Sequence, residues 1–358
     1  MAEKSTDPNP IAETRPSRST STVRQALESL GARRTTRWLL QGVLLLFLIV
    51  VPQLVPGNYW IRVLVQAGLY TMMALGLNLI AGQAGLLSLG YIAFYAVGAY
   101  TYGLLASRQH GIHFPHLVVI LPLAGLISSV FGALLAVPTV SLASDYLVIV
   151  TVAFSEILRI LVSIWRPLTG GPTGIYGIDR PQLFSFVLST PRHFYYLILF
   201  LCIVEVFLFR RLGKSRLGRA WNAIRNDEVA ARTMGLDVKR LKILVCALGA
   251  APAGMAGVLF AGIQLMVAPA NFIVDESLVI LSMMAIGGVG NIPGVVLGAV
   301  LLTLLPEPLR KYAEAYRLLI FGAILTVMAI FRPQGLWPKS RQMPQAASER
   351  RPAVNQTS

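Results

Sequence analysis

The sequence predicts an all-α, polytopic integral membrane protein of about ten transmembrane helices, with both termini cytoplasmic. Three observations predict it. Only 13% of the 358 residues are charged and 55% are hydrophobic, whereas soluble domains carry about 25% charged residues. Mean hydropathy is +0.65. The apolar residues gather into runs of about 20, the length a helix needs to cross roughly 30 Å of hydrocarbon.

Taken in order, the apolar runs fall near 38–56, 61–81, 84–106, 115–138, 146–165, 194–210, 241–265, 273–287, 293–306 and 317–331. Residues 1–37 are rich in Ser, Thr, Pro and Arg and read as a disordered basic tail. Residues 38–335 form the membrane domain, and 336–358 a second disordered tail. The first run resembles a signal peptide superficially, but it is too long, starts too late and lacks a small-residue cleavage site.

Net charge is +15. Seven Lys and Arg residues precede Trp38, ten lie within 210–242 and five follow Phe331. Such segments stay on the cytoplasmic side. Parity agrees: six runs separate the first basic region from the second, and four separate the second from the third. By the same parity 211–240 is cytoplasmic and the connection 166–192 is external. The basic segments lack the interleaved aromatic residues of a nucleic-acid stacking platform.

Several motifs are excluded by context. Gly213-Lys214-Ser215 ends like a phosphate-binding loop, but Leu208 stands where the pattern needs Gly. His110, His113 and His116 have helical spacing, yet Gly111 and Pro115 interrupt any helix there, so no metal site is expected. Cys202 and Cys246 lie in apolar runs and read as small core residues. The runs hold no nucleophile, base or metal set for an intramembrane enzyme, and no cofactor is expected.

Small residues recur four apart at Gly249, Ala253, Gly257 and Ala261, and again at Gly290, Gly294 and Gly298. Such faces let membrane helices approach closely. Ionisable residues inside the runs are few. Glu156 and Arg159 sit three apart in the fifth run, as a self-neutralising pair or as a lining of the substrate path. Asn78 and Glu205 are similar, and Arg210 lies close enough to pair with Glu205. The external connection holds the turn-dense stretch Thr169-Gly170-Gly171-Pro172-Thr173-Gly174. It reads either as an ordinary loop or as one folded over a substrate entrance.

In the cytoplasmic segment, Asn226 or Asp227 can cap a short helix, Glu228 can pair with Arg232, and Gly235 can end the helix in a left-handed turn. Asp237 can cap the next helix. Trp221, Ile224, Ala230, Ala231 and Met234 are then available to dock a membrane surface or a cytoplasmic partner.

This segment resembles the coupling motif of ATP-binding-cassette importer permeases, in which Glu-Ala-Ala is followed three residues later by Gly. Here Val229-Ala230-Ala231 precedes Gly235, with Glu228 one position early. That departure is similar to the branched-chain amino acid permeases, as are the stretches 77–90, 146–159, 168–175 and 287–294. Tyr91 stands where that family often has His. The likeness favours the M-type subunit over its H-type partner.

The resemblance implies a bacterial inner-membrane transporter subunit, not an enzyme. It would pair with a second related permease, dock two cytoplasmic ATPases, and receive branched-chain amino acids from a periplasmic or extracellular binding protein. ATPase-coupling residues implied are Trp221, Ile224, Arg225, Glu228, Ala230, Ala231 and Gly235. Candidates for the translocation path are Asn78, Ser88, Glu156, Arg159, Thr169, Gly170 and Gly171. Urea and short-chain amide importers carry similar permeases, and an ion-coupled secondary transporter would also be helical with midplane charges.

Overall fold

In the computed structural model, the described residues are 48–53, 57–107, 113–140, 144–184, 186–307, 322 and 326. The expectations for the tails 1–37 and 336–358, for most of the first and last apolar runs, and for His110 lie outside them. Residues 48–53 are helical.

From Gly57 onward the helices are α1 (Asn58–Ala84), α2 (Ile92–Ala106), α3 (Leu117–Thr139), α4 (Ser144–Ile164), α5 (Pro191–Lys214), α6 (Arg216–Asn226), α7 (Glu228–Thr233), α8 (Val238–Gln264), α9 (Val274–Gly287) and α10 (Ile292–Leu304). Five helical stretches among the described residues are long and apolar enough to cross a membrane, and α2 and α10 are apolar but shorter. Arg62, near the start of α1, is exposed.

Helix α8 packs against α1, α2 and α3. Its small residues make this possible. A Cβ on Gly249 would lie 2.9 Å from the Gly76 carbonyl oxygen of α1, and one on Gly257 would lie 2.7 Å from the Ala99 nitrogen of α2. A Cβ on Gly254 would meet the Ala124 carbonyl of α3 at 2.7 Å. Ala253 and Ala261 are fully buried on the same helix.

The third apolar run is not one helix from residue 84. Gly85 takes a left-handed conformation (φ 76°) and ends α1, its N–H bonding Ala81 O at 3.2 Å. Residues 85–91 then pass through the protein without helical structure before α2 begins. Backbone at membrane depth needs protein partners when lipid offers none. Thr151 Oγ1 of α4 accepts from Leu89 N–H at 3.2 Å, and Ser277 Oγ of α9 accepts from Ile92 N–H at 3.1 Å. The spacing of apolar residues could not reveal this interruption, because 85–91 is itself mostly apolar or small.

The connections gather at two ends. At one end, Ile175 and Val267 exchange backbone hydrogen bonds of 2.9 and 3.1 Å, Asp179 N–H donates to Ala106 O at 2.8 Å, and Gln182 N–H donates to Pro115 O at 2.8 Å. A two-stranded hairpin, Gln182–Leu183 with Phe186–Val187, belongs to this end. At the other end, α6 and α7 meet α1, α5 and α8.

Helices α9 and α10 have 14 and 13 residues, about 20 Å each at 1.5 Å per residue. A tight turn joins them, and its Gly290 N–H donates to Asn78 Oδ1 at 2.7 Å. A Cβ on Gly82 would lie 2.8 Å from Gly290 Cα. The turn therefore reaches the level of the last turn of α1 rather than stopping at mid-depth.

Replacing Gly257 by Val should force α2 and α8 apart, a cost of about 3 kcal/mol or more for overpacking with no room to yield. Gly235→Ala should cost only about 1–2 kcal/mol of left-handed strain, since nothing lies within 4 Å of its Cβ position. Thermal unfolding of the purified protein in detergent would rank the two, and equal losses would contradict the close packing at Gly257.

Candidate functional site

The segment between α5 and α8 is built from caps. Ser215 Oγ accepts from Gly218 N–H at 3.3 Å and starts α6. Asp227 Oδ1 accepts from Ala230 N–H at 2.9 Å and starts α7. Gly235 (φ 81°) turns the chain, and Asp237 Oδ1 accepts from Arg240 N–H at 3.1 Å to start α8. Short polar side chains at these positions satisfy N–H groups that a helix start leaves free. Gly213-Lys214-Ser215 is thus the junction of two helices.

Three ties hold this α6–α7 unit to the membrane helices. Trp221 is fully buried, and its Nε1–H donates to Leu241 O of α8 at 2.9 Å. The Arg225 guanidinium donates to Gly82 O of α1. Glu228 accepts from Lys242 Nζ of α8 at 2.8 Å and from Arg232 at 2.6 Å. Lys242, only 5% exposed, also lies 3.5 Å from Val140 O beyond α3.

These ties correct the expectation that Trp221, Ile224 and Ala231 are available for docking: all three are buried against the chain itself. Their apolar surface is used to seat the unit. The outward face instead carries Val229 and Met234, 72% and 84% exposed, with Ala230 and Gly235 also exposed. Two large apolar side chains thus stand on the outward face of the unit.

Burial by itself raises the pKa of the Glu228 carboxyl, but hydrogen bonds from Lys242 and Arg232 outweigh it and hold the group below the usual carboxylate range. Its folded value is thus depressed relative to the unfolded one. The stabilisation is complete above the ordinary carboxylate range and is lost as pH falls below it. At neutral pH the tie is fully charged.

The translocation-path candidates fall into separate groups. Asn78 is buried near the α6–α7 end and fastens the α9–α10 turn. Ser88 lies buried in the interrupted segment, its hydroxyl lacking a partner among the described residues. Thr169 is buried in the opposite end, its Oγ1 donating to Val162 O at 2.6 Å and Trp165 O at 2.7 Å. Gly170 and Gly171 have φ of 76° and 67°, and a Cβ on Gly171 would strike Arg166 Cγ at 2.7 Å. This loop ties helix ends together across the whole end face.

Glu156 and Arg159 form the pair that their spacing predicts. Arg159 Nε donates to Glu156 Oε1 and Oε2 at 3.1 and 3.0 Å, and Nη2 donates to Oε1 as well. Their side chains are 39% and 32% exposed, on a helix with only 22% of its apolar stretch buried, against 83% for α1. Glu205 departs from expectation: it is 5% exposed, and neither carboxylate oxygen has a partner among the described residues. It shares the buried face of α5 with Ile198, Cys202 and Phe209, away from Arg210.

Tyr91, in place of the resembling family's His, is fully buried, and its hydroxyl donates to Gly249 O at 2.7 Å. Lys242 was not distinguishable from its basic neighbours by sequence. The signal that could have found it is its place in the second turn of an apolar helix, five residues after the Asp237 cap. Among the described residues no group of three or more His, Cys, Asp or Glu side chains could hold a metal. His113 Nδ1 instead lies 2.8 Å from Asp179 Oδ2.

A helical membrane body with interrupted backbone at depth, carrying a rigid extramembrane unit of two short helices, defines a transport protein of the permease class. The family model described as "branched-chain amino acid transport system / permease component" matches residues 59–329. The chain belongs to that family. It is 41% identical over 296 residues to the high-affinity branched-chain amino acid transport system permease protein LivM of Salmonella typhimurium, covering 76% of this chain and 68% of that one. LivM of Escherichia coli is 40% identical with the same coverage. LivH of Escherichia coli is 23% identical over 282 residues, 75% of this chain and 90% of that one. No solved structure matches the chain.

Lys242→Met should strand Glu228 beside one exposed Arg and loosen α7 from α8, at a cost of about 1–3 kcal/mol for a partly buried pair. Proteolysis of the α7 turn in detergent should become faster, while the wild-type turn resists until the pH falls below the carboxylate range. Unchanged cleavage rates would remove Lys242 from the tie.

Proposed function

We propose that this chain is the M-type permease subunit of an ATP-binding-cassette importer for leucine, isoleucine and valine. It forms the translocation path with a second, H-type permease. Two cytoplasmic ATPases drive it, and an extracytoplasmic binding protein delivers the amino acid. The observation that carries this reading is the α6–α7 unit: tied to α1 and α8 at three points, it leaves Val229 and Met234 outside. ATP-driven closure can move membrane helices only through groups fastened to both partners.

Orientation follows from charge. The end with 210–242 carries ten basic residues, and the connection 166–192 at the other end carries Arg166, Arg180 and Arg192. Positive segments are retained inside, so the α6–α7 unit faces the cytoplasm and the hairpin faces outward, in the bacterial plasma membrane. An open groove of about 690 Å³, lined by residues including His113, His116, Asp179 and Gln182, lies on the outward surface and suits the binding protein.

Trp221, Ile224, Arg225, Glu228 and Ala231 then act as the lever's fixed end, and Ala230 and Gly235 as part of its free face. The exposed Glu156–Arg159 pair supports a place for α4 beside the path: a charge facing hydrocarbon costs roughly 3 kcal/mol, so this face meets water or protein. Thr169, Gly170 and Gly171 close the outer end of that path, and Asn78 and Ser88 lie toward its inner end.

Met234→Asp or Gly235→Trp should leave membrane insertion intact and lower ATP-dependent leucine uptake by about tenfold or more, as expected for residues at the centre of a small interface. A photoreactive group at Met234 should link to an ATPase subunit. Links only to phospholipid, with normal uptake by both variants, would overturn the assignment.

A further inference from the structure

The hairpin in the connection before α5 has two unlike faces. In its register Gln182 pairs with Val187 and Leu183 with Phe186. Directly opposed residues of a two-stranded ribbon point to one side, and the next pair points to the other. Gln182 and Val187 line the open groove with His113 and Asp179. Phe186 therefore stands on the side turned away from the groove. There its ring meets that of His193, in the first turn of α5, with centroids 4.8 Å apart.

His193 heads an apolar stripe. Tyr196, Phe200, Ile203 and Phe207 follow it at steps of three and four residues, and all four are exposed, whereas Phe194, Tyr195, Ile198 and Phe209 of the same helix are buried. An apolar stripe along a membrane helix is stable against acyl chains without any protein cover, because lipid tails are as apolar as the side chains. Phe186 thus continues, one turn higher, the face of α5 that lipid can wet.

The loop adds a second ring. Phe184 takes φ 56° and is 76% exposed. The first position of a two-residue hairpin loop with positive φ suits Asn, Asp or Gly, and a bulky side chain there is strained. The turn has no need of Phe, so the ring has a use of its own. Arg180 and Arg192, both exposed, flank the hairpin, and no acidic residue occurs from 181 to 204. At the same end Trp60, Trp165 and Tyr196 are exposed, the residue types that collect where a membrane meets water.

We propose that the 182–187 hairpin is a lipid anchor. Phe184 and Phe186 enter the boundary between headgroups and acyl chains in the leaflet at this end, and Arg180 and Arg192 meet lipid phosphates. Three observations select lipid as the occupant. The aromatic face is continuous with the exposed stripe of α5, its flanking charge is wholly positive, and the groove that a soluble partner would enter lies on the other face. The anchor needs no assumption about the substrate or about which leaflet is the outer one. Because Gln182 N–H donates to Pro115 O just before α3, it also fixes the height of the groove rim above the membrane.

The test uses the whole chain in lipid nanodiscs, in a background with Cys202 and Cys246 replaced by Ala. One nitroxide at a time is attached through Phe184→Cys, Phe186→Cys or Val187→Cys. Its collisions with oxygen, which concentrates in hydrocarbon, are compared with those of a water-soluble nickel chelate. Labels at 184 and 186 should favour oxygen, at a depth of about 5–10 Å, as for other elements that lie in the interface. The label at 187 should favour nickel. Nickel-dominated collisions at all three positions, or equal ratios at 186 and 187, would overturn the anchor.

Benzoylphenylalanine at 184 or 186 keeps an aromatic ring and leaves both native cysteines in place, so it answers the question if the labelled variants fail to assemble. Irradiated in the assembled importer, it should form adducts with phospholipid. Adducts only with the binding protein or the second permease would give this face to a protein partner and sink the proposal.

Discussion

Backbone-to-backbone contact at the centre of the helix bundle is the constraint on which the rest depends. Gly249, Gly254 and Gly257 place α8 directly against main-chain atoms of α1, α3 and α2. In lipid, apolar side chains gain little by choosing one another over acyl tails, so close contact and dispersion must hold helices together. The small face supplies the closeness. Because α8 is fixed on three sides, its N-terminal end is a firm seat for Trp221 and for Lys242.

The same tight centre allows the backbone to break at depth. Residues 85–91 cross a region where unpaired N–H groups would be costly, and Thr151 and Ser277 reach across from α4 and α9 to pair with them. Both partners are side chains on other helices, so the interruption ties α4 and α9 to the core. Such a segment can rearrange only if those helices move. The α6–α7 unit is joined to the same region through Arg225 at Gly82, which gives a physical route from that unit to the interrupted backbone.

The opposite end is organised differently. There the long connection forms backbone pairs with Val267, Ala106 and Pro115, joining the ends of α2, α3 and α8. Helix α4 is the least enclosed of the five long apolar stretches.

Composition and the run lengths were enough to establish a multi-helix membrane protein, because hydrocarbon thickness acts on sequence directly. The caps at Asp227 and Asp237, the left-handed Gly235 and the Glu156–Arg159 pair were legible for a related reason: each joins residues within four positions of one another. What only tertiary structure decided was every feature joining distant residues. The break at 85–91, the inward turn of Trp221, the Lys242–Glu228 tie and the buried Glu205 depend on which helix lies alongside. An apolar run looks the same whether its neighbour is lipid or protein, and packing alone distinguishes the two.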